Sequence, residues 1–270
     1  MVERLAGGTH AVTHLLETEQ PASQLVLRRY PPGDTAAGRE AEILKALDGL
    51  EGWAPRLVDS DALGKRFGEP AVLITRLAGH ADITSVPPHD AAEQLGRALA
   101  RVHAVPLDRF GGLRDGMLAA SSPDPGRAPG AAVLASGLER LRAEESVLTH
   151  FDYWSGNVLW QRETITGIVD WSGASRAPRG LDVSWCRLDL VLLHGPTAAE
   201  IFLAAYQRAA RQVVANLALW DLFALTNSHH TVEGWLPNYQ SLGRTDLTAT
   251  DLRARHTAWT SELLEHRRER

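Results

Sequence analysis
The chain has 270 residues, 44% of them hydrophobic, enough to bury a substantial core in one large domain or in two lobes. A formal net charge of −5 at pH 7 offers no basic surface for general nucleic-acid binding, and no apolar run reaches the roughly 18 residues of a membrane span. The lone Cys186 excludes an internal disulfide.

Met1-Val2-Glu3-Arg4 leads into a polar, glycine-containing stretch without the apolar region of a signal peptide, so a cytoplasmic protein is expected. Gly7-Gly8-Thr9 lies just before two predicted strands, Val12 to Glu17 and Leu25 to Arg29. A Gly-Gly pair followed by polar residues is ordinarily just a turn. Gly38 to Leu50 carries Ile43, Leu44, Leu47 and Leu50 at helical spacing. A Pro-bounded strand is expected at Trp53 to Asp59. A buried one is expected at Glu69 to Gly79, whose small final residues suit a hinge.

Asp90 is positioned to cap a helix that shows Leu95, Leu99 and Val102 on one face and stops at Pro106; His103 near its end reads as a packing residue. Ser121 to Gly130 is the most loop-like stretch by composition. Cys186 reads as a packed thiol on a helix. Ala198 to Val213, Leu217 to Asn227 and Leu252 to Arg268 are the clearest later helices. Their surroundings lack the basic clusters that would make Trp220, Trp235 and Trp259 a nucleic-acid stacking platform, so these read as packing residues.

The most specific signal is Val147 to Trp171. Asp152, Asn157 and Asp170 stand in the order and spacing that kinase-type phosphoryl transfer uses: one carboxylate to orient a hydroxyl and accept its proton, then an amide and a carboxylate to hold Mg²⁺. The alternative is that both aspartates are loop caps. Val158-Leu159-Trp160 and Ile165 to Val169 form a predicted hairpin around Gln161 to Thr164, which brings Asn157 and Asp170 side by side. No G-x-x-x-x-G-K-[ST] segment is present, and the adjacent His229-His230 lack the i, i+4 spacing of a helical zinc site.

His150-Phe151-Asp152 with Asn157, followed by Ile168-Val169-Asp170-Trp171 and Gly180-Leu181-Asp182, resembles the aminoglycoside phosphotransferase family of small-molecule kinases, and the likeness extends loosely over nearly the whole chain. The resemblance implies an α+β, bilobal, protein-kinase-like fold. Its small N-terminal lobe, with an antiparallel sheet and one helix, would span 1–78, and its larger, mostly helical C-terminal lobe 79–270.

It further implies that Asp152 is the catalytic carboxylate, with His150 organising its loop, and that Asn157 and Asp170 are the metal ligands. Gly7, Gly8 and Thr9 would form the nucleotide loop, and Thr75 and Leu77 would offer backbone groups to adenine with Ile74 behind them. Only two lysines occur, Lys45 and Lys65, neither on a predicted strand, so the phosphate-holding cation falls to Arg28, or to Arg29 one register away. Its acidic partner would be Glu40, or Glu42. Asp221, His229, His230 and Glu233 lie on C-terminal helices that the resemblance assigns to the acceptor pocket.

The implied cofactors are ATP or GTP with Mg²⁺. The implied activity is γ-phosphoryl transfer to a small-molecule hydroxyl, on an antibiotic such as an aminoglycoside or on a choline-, homoserine- or sugar-like alcohol. A catalytically silent nucleotide-binding protein of the same fold is the competing expectation. Phe151 where glycine is common, and Trp154 beside the catalytic loop, point to a more apolar pocket than a highly cationic aminoglycoside requires. Neither a nucleic-acid nor a membrane partner is expected.

Overall fold
A computed structural model describes residues 2–5, 11–20, 22–120 and 127–268. Gly7, Gly8 and Thr9, and most of the Ser121 to Gly130 loop, lie outside the described residues. The chain divides into two compact units: Met1–Ala81 with Asp108–Gly112 and Asn157–Ala174, and Asp82–Leu107 with Leu113–Gly156 and Ser175–Arg270.

In the first unit, β1 (Val2–Arg4), β2 (Val12–Glu19), β3 (Ala22–Arg29), β4 (Leu57–Asp61) and β5 (Ala71–Thr75) form an antiparallel sheet in the order β1-β2-β3-β5-β4. Its helix α1 (Ala36–Leu47) starts where Asp34 accepts the Ala36 amide at 2.7 Å and stops at the left-handed Asp48 and Gly49. Ile43, Leu44 and Leu47 form the buried face of α1 against β4, β5 and the Trp171–Gly173 turn. Glu40, one turn before Leu44, shares that face and is buried with it, whereas Glu42 points to solvent. A second sheet joins β6 (His80–Ala81), β8 (Val158–Gln161) and β9 (Thr164–Ile168). The β8–β9 hairpin turns through Arg162 and Glu163, both at positive φ.

The second unit is mainly helical: α2 (Pro88–His103), α3 (Gly116–Ala120), α4 (Ala131–Arg142), α5 (Gly180–His194), α6 (Pro196–Ala210), α7 (Leu217–Ser228), α8 (Leu236–Ser241) and α9 (Ala249–Arg268). A two-stranded ladder of β7 (Ser146–Thr149) and β10 (Ser175–Pro178) accompanies them. Apart from the half-buried Trp185 and His194, every residue of α5 is buried, as its near-continuous apolar sequence demands, and it packs against α6, α7 and α9. Gly96 lets α2 approach α6, because a Cβ there would stand 2.4 Å from the Phe202 carbonyl. The α2 helix begins at Pro88 without a side-chain cap, so Asp90 lies inside the first turn and is not the cap that its position suggested. None of the described helices is long and apolar enough to cross a membrane.

His194 closes α5 beside Arg244 and Arg255. Burial, reinforced by these two cations, lowers its pKa to about 4. An unfolded histidine titrates near 6.5, so between about pH 6.5 and 4 the unfolded state binds more protons and stability declines as pH falls. His194→Gln is expected to flatten this part of the profile, with urea midpoints of both proteins at pH 7 and pH 5 as the check.

Candidate functional site
Arg28 and Arg29 point to opposite faces of β3. Arg28 is buried, whereas Arg29 is half-exposed and sits 3.5 Å from Glu69. The Arg28 guanidinium pairs with Glu40 through Nη1 and with Asp170 Oδ1 through Nη2, the latter at 2.7 Å. Burial alone would lower the Arg28 pKa, but the two carboxylates outweigh it and the net direction is upward. Tyr30, which sequence reasoning passed over, donates its hydroxyl to the second oxygen of Glu40. Burial raises the Glu40 pKa against the pull of Arg28.

Asp170 follows β9 in the left-handed conformation, φ 65°, and Ser172 donates to its Oδ1 at 2.8 Å. The Val169 amide donates to the Asn157 carbonyl at 2.9 Å, so the hairpin register brings Asn157 next to the strand end that carries Asp170. Asp170 is about one-quarter exposed; a carboxylate and an amide oxygen are hard donors of the kind Mg²⁺ accepts when phosphates supply further ligands. At the end of β5, the Thr75 amide donates to the Arg56 carbonyl and its Oγ1 accepts from the Arg56 amide. Leu77 packs its side chain over Gly167.

Asp152 belongs to the second unit and is exposed, on a loop whose neighbours are tightly held. The buried Asp182, in the first turn of α5, accepts the amides of His150 at 2.6 Å and Phe151 at 2.8 Å. Its Oδ2 also lies 3.2 Å from Nε2 of His103, whose other ring nitrogen meets the Tyr206 hydroxyl at 2.7 Å. Two turns along the same helix face, Asp189 accepts the Ser155 amide at 3.1 Å and hydroxyl at 2.7 Å. Burial pushes the Asp189 pKa up to about 6 against the Ser155 and Tyr239 hydrogen bonds, and the charge of Asp152 adds to the rise. The Tyr153 hydroxyl donates to the Leu95 carbonyl at 2.9 Å. Asp182 stands out in the sequence through the Gly180-Leu181-Asp182 resemblance, whereas Asp189, seven residues on, is visible only as a polar break in an apolar helix.

Phe151 adopts φ 73°, a conformation open to glycine and strained for a bulky residue. The Asp182 hydrogen bond and the Arg114 guanidinium, 4.2 Å above the ring, hold it there. Phe151→Ala keeps the strain and loses the stack, so it is expected to be less stable than Phe151→Gly by about 1 kcal/mol. Urea midpoints at constant slope decide the order.

Of the suggested acceptor contacts, Asp221 is buried in an ion pair with Arg187 and is not available to a ligand. Glu233 pairs with Arg253, which also binds the His229 carbonyl. His230 stacks edge-on against His229. Cys186 is a buried free thiol.

The antiparallel sheet with one helix and the larger helical unit define a protein-kinase-like fold. The chain belongs to the phosphotransferase enzyme family, whose model matches residues 2–217. A homoserine kinase from Beijerinckia indica is 32% identical over 142 residues, 46% of this chain and 43% of that protein, so the matched part spans less than half of each. A macrolide 2'-phosphotransferase from Brachybacterium faecium shares the fold with a TM-score of 0.60 at 18% identity, over 97% of this chain and 91% of its own. A thermostable mutant of the aminoglycoside phosphotransferase APH(4)-Ia, solved with ADP and hygromycin B, gives a TM-score of 0.64 at 15% identity, over 97% of this chain and 93% of its own.

Proposed function
We propose that the protein transfers the γ-phosphoryl group of ATP to a hydroxyl of a small molecule in the cytoplasm. The observation that carries this reading is the ordered set Asp152, Asn157 and Asp170, with the last two joined by one hairpin in a member of a phosphotransferase family. Asp152 orients the acceptor hydroxyl and takes its proton. Asn157 and Asp170 would hold Mg²⁺, which would supply charge neutralisation on the phosphates. Arg28, fixed by Glu40, supplies a second positive charge toward the nucleotide. Thr75 and Leu77 contribute backbone groups to the base, and Gly7, Gly8 and Thr9 contribute the phosphate loop.

With little covalent work for the protein, rate comes from positioning and charge neutralisation. The acceptor is an antibiotic or a metabolic alcohol, and the partial likeness to a homoserine kinase supports including the second kind. ADP release from Mg-ATP across aminoglycosides, macrolides, choline, ethanolamine and homoserine tests the reading. Release stimulated by one compound supports it, and absence of both stimulation and nucleotide binding removes it.

A further inference from the structure
Four aromatic side chains continue outward from the loop that carries Asp152. The ring of Trp154, two residues beyond Asp152, folds over Gly156, where a Cβ would stand 2.2 Å from the indole. It meets Tyr239 edge-on at 5.9 Å between centroids. Tyr239 hydrogen-bonds Asp189, which holds Ser155 of the same loop. One turn before Tyr239 lies Trp235, and one turn before Asp189 on α5 lies Trp185; these two indoles are in contact at 5.9 Å. Trp154, Trp185 and Trp235 are each only half-buried, so they keep apolar area turned outward although a large core is available to them.

Asp152 is exposed, and the carboxylates that the helices of this wall carry already have partners. All seven carboxylates between residues 180 and 251 are engaged. Asp182 and Asp189 hold the loop. Asp221 and Glu200 take Arg187, Glu233 takes Arg253, Asp246 takes Arg244, and Asp251 caps α9 through Thr248. A polycation would have to compete with these partners for the same carboxylates, whereas an apolar ring face needs none of them.

Resting on the phosphotransfer reading above, we infer that the acceptor is a ring-bearing alcohol, neutral or with at most one positive charge, whose apolar face stacks on Trp154, Trp235 and Trp185. Indole faces accept flat or methine-lined ring surfaces and need no formal charge on the ligand. The ladder runs from Asp189 beside Asp152 out to Trp185 and Trp235, so a ligand lying along it extends away from the reacting hydroxyl.

Isothermal titration of the wild-type protein with an aryl glucoside, a macrolide, choline, homoserine and kanamycin tests the inference. At least one of the first two is expected to bind at least tenfold more tightly than each of the other three. Trp154→Ala and Trp235→Ala should each weaken that binding about tenfold, with Trp235→Phe restoring it to within about threefold. Melting temperatures of the variants separate this loss from unfolding. Tighter binding of kanamycin, choline or homoserine, no binding by either ring-bearing probe, or affinities insensitive to both alanine variants would overturn it. ADP release with the probe that binds reports separately on phosphotransfer: binding without release would leave the aromatic wall as a ligand site and remove the kinase reading.

Discussion
Replacing Asp152 by asparagine is expected to lower turnover by roughly 10²- to 10⁴-fold, the usual contribution of a positioned general base, and to leave nucleotide affinity within about twofold of the wild type. The side chain is exposed, and the fold around it is held by other groups, so the substitution exchanges one solvated polar head for another of equal size. Its charge is felt at Asp189, whose raised pKa reflects burial first and the Asp152 charge only last. Loss of that charge should lower the Asp189 pKa slightly and leave the loop in place. The measurement is kcat with the best acceptor, alongside the Kd for Mg-ATP by calorimetry. An unchanged kcat would show that the carboxylate has no part in the chemistry, and lost nucleotide binding would mean a structural failure.

The largest effect on stability is expected at Asp182. Asp182→Ala strips acceptors from the His150 and Phe151 amides and from His103; Asp182, His150 and His103 are buried and Phe151 partly so. Hydrogen bonds to a buried carboxylate contribute about 1.5–3 kcal/mol each, so the two amides alone account for a loss of about 3–6 kcal/mol. In a chain of this size that corresponds to a fall in Tm of roughly 10 °C. Phe151 depends on the same carboxylate to hold its positive φ, so turnover should fall together with stability. Asp182→Asn retains one acceptor oxygen and is expected to lose about half as much. Scanning calorimetry of both variants is the check, and a Tm for Asp182→Ala within about 2 °C of the wild type would sink the assignment.

Periodicity alone located β2, β3, α1, the β8–β9 hairpin and the later helices, because an apolar stripe of period 2 or 3.6 has few ways to be buried. The family resemblance rested on local sequence too: a loop that must present Asp152 and Asn157 within a few residues has its order written in the chain. Boundaries were less legible. Pro88 starts α2 two residues before Asp90, since a proline at the first helical position needs no amide partner.

The sequence by itself therefore determined the elements and the candidate chemistry, both being set by short-range spacing. Long-range proximity decided the rest. Only the tertiary structure chose Arg28 over Arg29 and Glu40 over Glu42 as the buried pair, by orienting β3 and α1 so that one residue of each faced inward. Only it grouped Asn157–Ala174 with the first eighty residues, through sheet and turn contacts that have no local signature. It also turned Asp221 from a suggested ligand contact into the partner of Arg187, and lined up Asp182 and Asp189 beneath the loop that carries Asp152. Each of these depends on which groups meet in space after burial, and a buried carboxylate and an exposed one are written with the same letter.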